Sequence, residues 1–144
     1  MSGTLFGDEP DRDARDDAIV DAYRHAGRML DDLPYTDDFE TLMTLVLQTD
    51  PAASHRNVFH RLHNLRKAGK LPRLGRGAST PPKLGEEHEQ LLIVLVQDQA
   101  GSLGQRDRLP YAEGFDRVAS AFADRTGLQL SHHDLWRVIA KLAK

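Results

Sequence analysis

An internal echo restricts the fold of this chain more than any other feature. Leu33-Pro34-Tyr35 recurs as Leu109-Pro110-Tyr111, and Phe39 recurs at the same offset as Phe115. Beyond one inserted residue, Ser54-His55 matches Ser131-His132 and Asn57-Val58-Phe59 matches Asp134-Leu135-Trp136. Leu62 and Leu65 then match Ile139 and Leu142, while upstream Ala18-Ile19-Val20 sits opposite Val94-Leu95-Val96 and Asp31 opposite Asp107. Matches held in register but for one inserted residue point to a duplication, the plainer alternative being two unrelated helical hairpins that share turn chemistry. With 144 residues in all, each copy has room for one small unit.

Each copy reads as three helices. The first spans roughly 15–30, with Ile19, Val20, Tyr23, Gly27 and Leu30 on one face at spacings of three and four. Its counterpart spans about 86–99 and is loosened by Gly101 and Gly104. Proline in Leu-Pro-Tyr turns the preceding residue away from helix and separates the elements. The second helix starts after Thr36, an N-cap followed by Asp37, Asp38 and Glu40 in the first turn. Its apolar stripe is Phe39, Leu42, Met43, Val46 and Leu47, echoed by Phe115, Val118, Ala119 and Phe122. The third helix starts at Ser54 or Ser131, the latter in the capping-box form Ser131-His132-His133-Asp134. Val58, Phe59, Leu62 and Leu65 form its stripe, matched by Leu135, Trp136, Ile139 and Leu142, and Gly69 ends the first copy.

The expected fold is all-α: two tandem three-helix units, 15–70 and 86–144, joined by a basic extended linker or rudimentary wing over 71–85. Residues 1–14, rich in acid and poor in apolar side chains, read as a disordered arm outside the fold.

Composition sets the class. The chain has no cysteine, which excludes disulfides, thiolate metal sites and cysteine nucleophiles. No apolar run nears the ~20 residues that span a bilayer, the polar start shows no signal peptide, and the expectation is a cytoplasmic protein. Charge is unevenly laid out. Residues 1–50 hold 13 acids against 4 bases, and 86–144 hold 9 acids against 7 bases. Between them, 51–85 hold 8 bases and no acid within a chain of net charge -3. Such a segment is either a phosphate-binding surface or the electrostatic mate of the acidic half, and the sequence admits both.

On a wheel of 100° per residue, the face of the first unit's third helix opposite its core stripe carries Arg56, His60, His63, Asn64 and Lys67, with Asn57 and Arg61 at its edge. Arg and Asn suit base edges, and Lys and His suit phosphates. A short helix after the turn Thr49-Asp50-Pro51-Ala52-Ala53, polar on its free side, resembles the helix-turn-helix class in architecture. On this reading Arg56, Asn57, His60, Asn64 and Lys67 approach the groove. Arg61, Arg66, Lys70, Arg73 and Arg76 hold backbone phosphates, the last two from a flexible arm. If about six cations in all engage phosphates, the log–log salt slope is about -5.

The function so expected is non-catalytic DNA binding. The alternative is a protein-interaction or oligomerisation module with complementary acidic and basic faces, through a protein partner or a second copy of the chain. His60-x-x-His63 lacks an identifiable third ligand, so no metal is expected. No phosphate-cradling glycine loop or nucleophile elbow is present, and no cofactor, small-molecule substrate or membrane contact is expected. His55 and His132 read as structural histidines bonded to backbone or tyrosine, and Trp136 as core.

Overall fold

The computed structural model describes the backbone of residues 3–74 and 80–144 and the side chains from residue 12 on, 75–79 excepted. The described residues form six α-helices: α1 (Gly3–Ala26), α2 (Asp37–Thr49), α3 (His55–Lys67), α4 (Glu86–Ala100), α5 (Glu113–Thr126) and α6 (His132–Leu142). Two 3₁₀ turns, Leu30–Asp32 and Leu103–Arg108, sit between the first and second helices of each half, and no strand occurs among the described residues.

Local chemistry accounts for most helix ends. Thr36 Oγ1 accepts from Phe39 N–H, Ser54 Oγ from Asn57 N–H and Ser131 Oγ from Asp134 N–H, at 3.1–3.2 Å. Gly69, at φ 73°, closes α3 with a Schellman pair: Lys70 N–H reaches Leu65 O (2.8 Å) and Gly69 N–H reaches Arg66 O (3.0 Å). Two expectations need correcting. The first helix stops at Ala26 rather than Leu30, because Gly27 takes φ 69° and breaks it. At the other end the backbone is helical from Gly3, against the disordered arm expected over 1–14. With Ile19, Ala22 and Tyr23 buried as a nucleus, each added residue fixes one more backbone bond.

Packing joins the halves. Helix α1 lies on α2 and α4 on α5, while α3 rests on the turn Leu103–Arg108 and α6 on the turn Leu30–Asp32. The third helix of each half is thus covered by the other half. Phe59 and Trp136, both fully buried, meet edge to face with centroids 5.5 Å apart. One apolar core results, running from Ile19, Phe39 and Leu62 to Leu92, Phe122 and Ile139. Bundles of this size bury little on their own, and the shared core recovers area that each would leave wet. Leu71, Leu74 and Leu84 pack against it, so the described ends of the connector are tied down. Arg76 lies outside the described residues. No helix among those described is long and apolar enough to cross a membrane.

Candidate nucleic-acid interface

The seam between the halves is built from matched residues. Tyr35 and Tyr111 both adopt left-handed backbone, at φ 64° and 62°, a region costly for a bulky side chain. Their surroundings hold them there. Tyr111 N–H donates to Tyr35 Oη (2.7 Å), and Tyr35 N–H donates to Tyr111 Oη in return. The rings lie 4.4 Å apart. Tyr35 packs on Phe115 and His132 of the far half, and Tyr111 on Phe39 and His55. Burial away from water raises the Tyr35 hydroxyl pKa to about 12 and raises that of Tyr111 as well. His55, expected to bond a backbone or tyrosine oxygen, instead contacts the Glu40 carboxylate through Nε2 (2.9 Å) and packs its ring on Phe39 and Tyr111.

Beside this clasp lies a buried charge cluster. Asp32 is inaccessible and meets His133 Nε2 and Arg137 Nε at 3.1 Å each, with Arg28 at 3.7 Å. Asp31, almost as deep, faces Arg66 and Lys144 at 3.4 Å. Burial works against the charge on Asp31, but Arg66, Lys144 and Arg106 outweigh it and hold the carboxyl below its usual range. The Asp31 carbonyl accepts from Trp136 Nε1 (3.0 Å), which makes Trp136 a hydrogen-bonded core residue.

Helix α3 divides its cations between the interior and solvent. Arg61 grips Asp16 on α1 through both carboxylate oxygens, which lowers the Asp16 pKa and raises that of Arg61. Arg66 is shared between Asp31 and His63 Nδ1 (3.3 Å). His60 donates from Nδ1 to Asp107 Oδ2 (2.9 Å), leaving Nε2 to accept from Asn64 (3.3 Å). Burial opposes the charge on Asp107, yet the His60 bond and the cations nearby keep its pKa low. His63, expected on the free face, is only 3% exposed, lies against Phe59 and is pushed down to about 4 by burial and by Arg66. The wheel places it outward because it has no knowledge of the second half, which covers that flank.

Four of the expected contact residues, His60, Arg61, Asn64 and Arg66, thus have partners inside the molecule. Arg56, Asn57, Lys67, Lys70 and Arg73 are exposed, and the charged four among them have no ion-pair partner among the described residues. Arg56, His60 and Lys67 follow one another at helical spacing along one side of α3. Past its end Lys70 shares a groove with Asp13, Asp16, Asp17 and Asp21 of α1, and Arg73 one with Tyr23 and Met29. Sequence reasoning missed Arg108, an exposed cation that lines a trough with Arg56, Asn57, His60 and Asp107. The numbering carried the signal, since Arg108 falls opposite Asp32 when the two halves are laid side by side. Compared with known protein families, curated proteins and solved structures, the chain matches none.

Proposed function

We propose that this is a non-catalytic, cytoplasmic DNA-binding protein whose halves arose by duplication, and that it grips phosphates along one side of α3 and the start of the connector. The supporting observation is that Arg56, Lys67, Lys70 and Arg73, with Arg108 beside Arg56, are exposed and form no ion pair among the described residues, whereas Arg61 and Arg66 of α3 are satisfied internally. Asn57, at the start of α3, is the side chain best placed to touch a base; phosphate contacts carry no sequence information. The satisfied Arg61 and Arg66 drop out of the phosphate count. The five exposed cations then give a slope of log affinity against log salt of about -4.5, shallower than the value of about -5 expected from the sequence.

Fluorescence anisotropy with random duplex DNA across a salt series tests this. Lys67→Ala with Lys70→Ala should lower affinity and flatten the slope by about 2. No binding at low salt would sink the proposal. An adaptor reading draws on a neighbouring groove of about 770 Å³, where Asp13, Asp16, Asp17 and Asp21 of α1 face Lys70 and offer an acidic wall to a basic peptide. Co-purification of a protein, with no DNA shift, would favour it.

A further inference from the structure

The molecule offers an internal template for one further site. In the first half, the carboxylate of Asp32 sits among Arg28, His133 and Arg137. Carried through the repeat register, each member of that cluster has a counterpart. Asp32 corresponds to Arg108, Arg28 to Gly104, His133 to Arg56 and Arg137 to His60. The neighbouring Asp31 corresponds to Asp107, which His60 holds at 2.9 Å.

At the second locus the charge is therefore inverted. A cation stands where the first has its carboxylate, and Gly104 replaces one of the two flanking arginines, Arg28. Instead of a filled ion cluster the structure has an open trough of about 390 Å³ lined by Arg56, Asn57, His60, Asp107 and Arg108. The Asp107 carboxylate in its wall is committed to His60 and almost buried, with 8% of its side chain exposed. Arg56 and Arg108 have no ion-pair partner among the described residues. They also line the adjoining groove, of about 500 Å³, that continues along the seam past Tyr111.

We infer that the Arg56–Arg108 trough is an oxyanion site, and that its ligand is a phosphate monoester or diester. The inference rests on the DNA-binding reading for one source of that ligand, a backbone phosphate. The same chemistry in a small phosphate ester is the other source. The two guanidinium groups that line it offer several N–H donors to one ligand, and planar guanidinium forks match phosphate oxygens. A protein carboxylate fills the buried template. The open trough suits a larger and more highly charged anion that arrives from solvent.

The test uses the full chain. Inorganic phosphate, added against chloride at matched ionic strength, is followed through the ¹H–¹⁵N resonances of the Arg56 and Arg108 side chains. Saturable shifts at both are expected. Arg108→Asp restores the charge pattern of the template, so it should abolish those shifts and reduce the DNA salt slope by about 1. Arg24→Ala, on α1 away from the trough, should change neither. Arg108 is exposed, so the variant keeps its core, and an unchanged Trp136 fluorescence spectrum checks this. Should phosphate act no differently from chloride while DNA still binds, the trough is overturned and the wider DNA reading stands. If phosphate binds saturably and DNA does not bind at low salt, the DNA reading falls and the trough stands as a site for a small phosphate ester.

Discussion

Tyr35 and Tyr111 show how a residue can hold a backbone conformation it disfavours. Each hydroxyl accepts the other's N–H, so neither half can close its Leu-Pro-Tyr turn fully without the other. Tyr35→Phe keeps the ring and deletes one acceptor, leaving Tyr111 N–H unpaired at the seam. A loss of about 1–2 kcal/mol is expected in urea denaturation, with a similar loss for Tyr111→Phe. His63 carries a second prediction at this scale. Its folded pKa, near 4, lies below the ordinary value of 6.5, so between those limits the unfolded chain binds the extra proton. Stability should therefore be greatest above pH 6.5, fall as the pH drops toward 4, and level off through this group below that. Asp31, Asp107 and Asp16 are held low, and their contributions are lost only on further acidification. His63→Leu should flatten the upper part of the profile, as read by unfolding midpoints at several pH values.

At the scale of the element, much was legible beforehand. Thr36, Ser54 and Ser131 mark their helix starts by a side-chain oxygen three residues before the N–H it caps, and Gly69 marks an end by its freedom at positive φ. The apolar stripe of α3 was legible too, because Val58, Phe59, Leu62 and Leu65 repeat with the helical period and are all buried. Its opposite face was not. A wheel reports where a side chain points and not what stands there, and Asp16, Asp107 and Asp31 approach α3 from residues 45, 47 and 35 positions away. Paired charges so distant in sequence look like free ones. Asp16 makes the point testable. Asp16→Asn should weaken the packing of α1 on α3 and release Arg61, steepening the DNA salt slope by about 0.9 if that side of α3 lies against phosphates. An unchanged slope would place Arg61 away from the nucleic acid.

At the scale of the molecule, two units that look separate in sequence share one interior. The lone tryptophan, Trp136, belongs to the second half, and Leu42, fully buried, belongs to the first. Leu42→Ala should shift the unfolding transition seen by Trp136 fluorescence by about 2–5 kcal/mol, with far-ultraviolet circular dichroism following the same curve. Independent units would leave the tryptophan transition where it was. The tyrosine clasp has a consequence for how the molecule can be divided. What holds the halves together is non-covalent and reciprocal, so the peptide link between them serves mainly to keep each within reach of the other. Residues 1–74 and 80–144, produced as two polypeptides, should find each other and rebuild the clasp as a one-to-one complex in size-exclusion chromatography with light scattering. A protein that recovers its form from two separate pieces could report on proximity, as split reporters do.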